Sequence, residues 1–226
     1  MIKIHFITVF YILTTIHLNA QKVFSAEQVD KLDYQNGIYE TKEDFIRKTP
    51  SLRHSVRVKN RFPKDHIDSM IRRCFFIDLV LGKKIKKAFA VVYNGNLYFR
   101  TGAIIKNRDS NDKSLSSATS ASSQFVLVLK GGNNYLYTEA SIINHWQIGL
   151  SAGLARGAIY KMNDNGTRYY TNTKGLIWDF KKSEFNIFRD CADFKDFIDS
   201  QNVKSFDCTN NRLTYDKIVD YIEKIK

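Results

Sequence analysis

"AFAVVYNGNLYFR", residues 88 to 100, sets Val91, Val92 and Tyr93 before Asn94-Gly95 and Leu97, Tyr98 and Phe99 after it. Asn and Gly tolerate the positive φ that a type I′ turn requires at both central positions, so two β-rich runs around this dipeptide predict a tight hairpin. "QFVLVLKGGNNYLYTEA", residues 124 to 140, repeats the pattern with Gly131 to Asn134 as its connection. "RGAIYKMNDNGTRYYTN", residues 156 to 172, makes a third pair turned at Asn163 to Gly166. Consecutive hairpins imply an antiparallel sheet, because parallel neighbours need crossovers of a dozen or more residues.

Upstream, "YQNGIYETKEDFIRKTPSLR" at residues 34 to 53 reads as a turn followed by a short capped helix. Thr41 is the cap, with Asp44 three residues on. Glu43 and Asp44 suit the positive end, and Pro50 forces the exit. Phe45 and Ile46 are its apolar contacts, and a helix of two turns must lie on something larger. Downstream, Phe185, Phe188, Phe194, Phe197 and Ile198, and then Ile218, Tyr221, Ile222 and Ile225, recur at helical spacings. Thr214 is placed to cap the last segment. The fold class is therefore α+β: an antiparallel sheet built from hairpins, with a short N-terminal helix and C-terminal helices packed on it.

Between the first two hairpins, residues 107 to 124 carry seven serines from 110 to 123. Such a stretch buries too little apolar area to offset its ordering entropy, and a flexible loop within one domain is expected.

The chain begins "MIKIHFITVFYILTTIHLNAQ", with Lys3 near the start, an apolar core and Ala20 before Gln21. This is the layout of a secretory signal peptide over residues 1 to 20. The mature domain would then run from 21 to 226, which is 226 − 20 = 206 residues. The expected location is the periplasm, the envelope or the exterior. The formal charge of the whole chain is +12, unevenly placed: residues 42 to 87 hold 14 Lys or Arg against 5 Asp or Glu, while residues 176 to 226 hold 9 against 10. A basic front of this kind attracts anionic lipid or polysaccharide. Within it, "GKKIKKAF" makes Lys83, Lys84, Lys86 and Lys87 the candidate anion contacts. Nucleic acid is not the expected partner, since no zinc-finger spacing or continuous basic helix surrounds these lysines and export removes the opportunity.

"GLSAG" at 149 to 153 fits the G-x-S-x-G pattern with Ser151 as nucleophile, but the histidines are 5, 17, 54, 66 and 145, and none follows it as that fold requires. Gly149, Gly153 and Gly157 recur every four residues and line one side of either a helix or a strand, which suits close packing or a protein partner. The three cysteines and the mature histidines lack zinc spacing, and the aspartates at 190, 193, 196 and 199 lack the ligand pattern of a calcium loop. No metal, cofactor or catalytic residue is expected. Cys191 and Cys208 are candidates for a disulfide in an oxidising compartment, against a buried free Cys191 on the apolar side of its helix. Cys74 reads as a core thiol.

The "AQ" junction at 20 to 21, "NGIYETKEDFIRKTPS" at 36 to 51 and "VVYNGNLYFR" with its flanks resemble a group of uncharacterised secreted proteins from Bacteroidetes bacteria. Ile38, Tyr39, Phe45, Leu97 and Tyr98 carry the likeness. The resemblance implies export and a shared fold, and no activity. Two function classes fit: a non-enzymatic exported interaction protein, and a hydrolase of an envelope polymer using a carboxylate pair drawn from acids such as Asp65, Asp78 and Glu139.

Overall fold

The computed structural model describes residues 32–59, 72–109, 116–118, 122–144, 160–162, 168–170, 173–188, 191–201, 220–222 and 224–225. The "NG" hairpin pairs β5 (Ala90–Tyr93) with β6 (Asn96–Arg100) through Val91↔Tyr98 and Val92↔Leu97. Asn94 at φ 50° and Gly95 at φ 75° hold the positive torsions of the I′ turn. On one side β1 (Gly37–Tyr39) pairs with β5; on the other, β8 (Phe125–Gly131) pairs with β6.

The second hairpin joins β8 to β9 (Tyr135–Asn144), and β12 (Thr173–Asp179) and β13 (Glu184–Ile187) extend the sheet beyond it, all antiparallel. The third hairpin is present as a separate pair, β10 (Tyr160–Met162) with β11 (Arg168–Tyr170). A mixed fold with a large antiparallel sheet and helices near both ends of the chain is thus established.

The sheet forks at β8. Phe125 and Val126 pair with Cys74 and Arg73 of β3 (Arg73–Asp78), whereas Val128 to Gly131 pair with β9 across an irregular step. β3 carries β2 (Val56–Lys59) on one side and the short β4 (Lys83–Lys84) on the other. Because side chains alternate across a strand, each face of the fork builds its own core. Val92, Leu97, Phe99, Val126, Leu136, Trp178 and Phe185 meet on one face. Val91, Tyr98, Phe125, Leu127, Cys74 and Phe76 meet on the other. The β9–β12–β13 wing curls over the first core far enough that Phe99 of β6 and Phe185 of β13 lie 5.0 Å apart, edge to face. The β2–β3–β4 wing curls the opposite way over the second.

Helices close the ends. α1 (Lys42–Ile46) has the expected capping box: Asp44 N–H donates to Thr41 Oγ1, and the Asp44 carboxylate accepts from Thr41 N–H. Phe45 is fully buried against Tyr34, Phe89, Phe99 and Trp178, but Ile46 is 42% exposed and makes no matching contribution to the core. α2 (Thr101–Lys106) lies where no helix was anticipated. It lacks a side-chain cap, and Gln124 and Ser122 carbonyls instead accept from the Thr101 and Gly102 N–H groups. Its exit pairs with β13 through Asp109 N–H to Phe185 O and Phe185 N–H to Asn107 O.

The C-terminal segment departs from the helix expected to start at Phe185. Phe185 belongs to β13, facing the first core, and Phe188 follows that strand; the helix α3 begins only at Cys191 and runs to Asp199. Its Cys191, Phe194 and Ile198, with Ile222 and Ile225, cover Tyr135, Tyr137 and Ile177 on the outer face of the β9–β12 wing. The serine-rich stretch also differs from expectation, since β7 (Ser116–Ala118) pairs with Ile142 to Asn144 of β9. Residues 110–115 and 119–121 of that stretch lie outside the described residues, as do residues 1–20, Ile218 and Thr214.

Candidate functional site: a basic wing with an apolar tip

Part of the basic front forms the β2–β3–β4 wing; Lys42, Arg47 and Lys48 lie on or beside α1, and Arg61 and Lys64 lie outside the described residues. Paired residues in antiparallel strands share a face, so the register sorts the side chains. Val56, Val58, Cys74 and Phe76 point to the second core. Arg57, Lys59, Phe75, Ile77 and Lys84 share the opposite face through Arg57↔Ile77↔Lys84 and Lys59↔Phe75, and Arg73, two residues from Phe75, adds a fourth cation. Arg57 and Lys59 are exposed. Lys84 lies with its Nζ 3.5 Å from the Phe75 ring centroid, a cation–π contact that seats the ammonium on the ring face.

Of the lysines singled out by sequence, Lys83, Lys86 and Lys87 are exposed and Lys84 is half-buried. Lys83 and Lys84 form β4 itself, and Lys86 and Lys87 follow in the segment leading to β5. Arg57, Lys59 and Arg73 were not singled out. The alternation in "VRVK" was their signal, but it becomes a basic face only once β3 fixes which side is buried.

At the far end of β3 the chain turns through Leu79, Val80, Leu81 and Gly82, with Gly82 at φ 64° reversing it into β4. The three apolar residues are 51%, 66% and 58% exposed. The turn is held from below by Asp78, a buried carboxylate: Oδ1 accepts from Val80 N–H at 2.9 Å and Leu81 N–H at 3.0 Å. Its Oδ2 accepts from His54 Nδ1 at 2.8 Å, and Leu79 N–H donates to Ser55 O. Burial alone would raise the Asp78 carboxyl, and the bonds from His54, Leu81 and Val80 outweigh it, leaving it below the usual carboxylate range.

Asp78 is therefore committed to the turn. Glu139 is elsewhere, accepting from Tyr137 OH at 3.1 Å and facing Arg72 at 3.9 Å. Arg72 and Asp78 are six residues apart along an extended strand, roughly 20 Å at about 3.3 Å per residue. Asp78 and Glu139 thus stand on different strands, each with its own partners. Asp65, Ser151, Gly149, Gly153, Gly157, Cys208 and Asp190 lie outside the described residues.

Cys74 is a free, buried thiol, its pKa pushed up to about 12 by desolvation. Cys191 is disulfide-bonded. Among the described residues no group of three His, Cys, Asp or Glu could hold a metal ion, and no helix is long and apolar enough to cross a membrane. Comparison with protein-family models, curated proteins and solved structures found no match to this chain.

Proposed function

We propose that this is an exported, non-enzymatic interaction protein whose basic wing adheres to an anionic envelope surface. The observation that carries this reading is the register of β2, β3 and β4, which gathers Arg57, Lys59, Arg73 and Lys84 on one face. No carboxylate shares that face among the described residues of the three strands. Lys83, paired with Asp78, falls on the opposite side of β4, and the exposed Lys86 and Lys87 follow in the segment leading to β5. The signal-like layout of residues 1 to 20 supports export to a compartment where such surfaces are met.

Binding of the full chain to vesicles containing anionic lipid, and separately to an acidic polysaccharide, tests the proposal as salt is raised. The Debye length falls from about 10 Å at 0.1 M to about 3 Å at 1 M, so binding to at least one of them should weaken steeply. Replacing Lys83, Lys84, Lys86 and Lys87 by Glu should lower it at low salt while the circular dichroism spectrum is retained. Equal and negligible binding by both forms would reject the reading.

A further inference from the structure

We propose that the anionic surface is a lipid bilayer and that Leu79, Val80 and Leu81 insert into its headgroup–acyl boundary, with the neighbouring cations held at headgroup level. This deepens the function proposed above and rests on it. Three consecutive apolar side chains, each more than half exposed, stand at a turn tip rather than against a core. Scattered exposed apolar residues are ordinary, but a contiguous apolar tip rimmed by charge is a mark of an interaction surface.

The chemistry of the rim selects the occupant. Lys83 lies directly opposite Asp78 at the base of the turn, Lys84 opposite Ile77, and Lys86 and Lys87 follow within a few residues. Cations flanking an apolar projection match a layer with negative headgroups outside and hydrocarbon beneath. An acidic polysaccharide matches the cations alone, because it has no apolar interior to receive leucine.

Part of the cost of taking the tip out of water is already met. An unpaired N–H carried into an apolar phase is expensive. Here the N–H groups of Leu79, Val80 and Leu81 are all bonded inward, to Ser55 O and Asp78 Oδ1. The same bonds fix the turn before binding, so little conformational freedom is lost on insertion. Interfacial segments bury their apolar side about 5–10 Å into the boundary, a depth within reach of one hairpin tip.

The test uses the full chain, vesicles of neutral lipid with and without anionic lipid, and an acidic polysaccharide. Leu79→Ser, Val80→Ser and Leu81→Ser are combined in one variant; because it keeps residues 1 to 20, any difference from wild type belongs to the tip. Partitioning onto anionic vesicles should weaken roughly tenfold or more. Val80→Trp in an otherwise unchanged chain gives a second readout. Its difference fluorescence should shift to the blue on anionic vesicles and be quenched by brominated acyl chains.

Equal, salt-sensitive vesicle binding by wild type and triple variant, with no quenching at position 80, would overturn the insertion and leave the electrostatic reading standing. Salt-sensitive binding to polysaccharide without vesicle binding would overturn it too. Absence of salt-sensitive binding to every probe would remove the proposed function, and insertion with it.

Discussion

Phe45 of α1 packs edge-on against Trp178 of β12, ring centroids 5.7 Å apart at 83°. The contact joins the N-terminal helix to the curled C-terminal wing, and Phe45 also meets Phe89 and Phe99 at 5.1 Å each. A short helix has little stability of its own, so the ring anchors it. Phe45→Ala should destabilise the fold by about 3–5 kcal/mol. Ile46→Ala, next to it but 42% exposed, should cost well under about 1 kcal/mol. Urea unfolding of the two variants checks the contrast, and equal losses would show that the helix is held by both faces.

Acid should loosen the capping box and the tip turn together. The Asp44 carboxyl is held below its usual range chiefly by Ser51 Oγ, then by Thr41, and Asp78 is lowered by the bonds that outweigh its burial. For a lowered carboxyl the stabilisation is present above its unfolded pKa, about 3.9. It is lost as pH falls through the folded value. Asp44→Asn and Asp78→Asn should each be less stable than wild type at pH 7, with the gap closing below about pH 4. A gap of the same size at both ends of that range would mean that the side-chain charge is irrelevant.

The hairpins were legible because their turns are written in local chemistry: Asn94-Gly95 needs no distant partner to specify positive φ. The Thr41 cap and the helix it starts were legible for the same reason. Phe185 was misread because a spacing of three to Phe188 suits a helix, while the alternation of Phe185 with Ile187 suits a strand equally well. Pairing with Leu176 to Asp179 decides between them, and that is a nonlocal contact. α2 escaped notice because its first N–H groups are satisfied by Gln124 and Ser122 carbonyls instead of a capping side chain.

The candidate site divides in the same way. Its lysines stand out as a run. The apolar tip does not stand out as a turn in sequence, because that turn is held by the Asp78 side chain and reversed at Gly82 without a turn dipeptide. The basic face of Arg57 and Lys59 depends wholly on the side of β2 that the second core covers.

Cys191 is disulfide-bonded and Cys74 is free. Non-reducing peptide mapping is expected to recover a linked pair containing Cys191 and Cys208, with Cys74 alkylated only after unfolding because it is buried. Under the loop-entropy account, reduction should lower stability by about 3 kcal/mol. A native digest in which Cys208 reacts freely with iodoacetamide would remove that pairing.

The wing should be distinguishable from the charge of the molecule as a whole. Arg57 and Lys59 project from β2 on the face shared with Phe75 and Ile77, and both are exposed, so reversal to Glu leaves the core side of the strand untouched. Lys181 and Lys182, in the turn between β12 and β13, are exposed too, and Lys182 faces Glu184 at 3.8 Å. Reversing either pair changes net charge by the same amount. A surface-bound cation contributes about 1 kcal/mol, so Arg57→Glu with Lys59→Glu should weaken binding to anionic vesicles at least about tenfold at 0.1 M salt. Lys181→Glu with Lys182→Glu should change it far less, and the difference between the two variants should vanish near 1 M salt. Equal weakening by both pairs would mean that net charge alone draws the protein to the surface and that the β2–β4 wing has no special part in it.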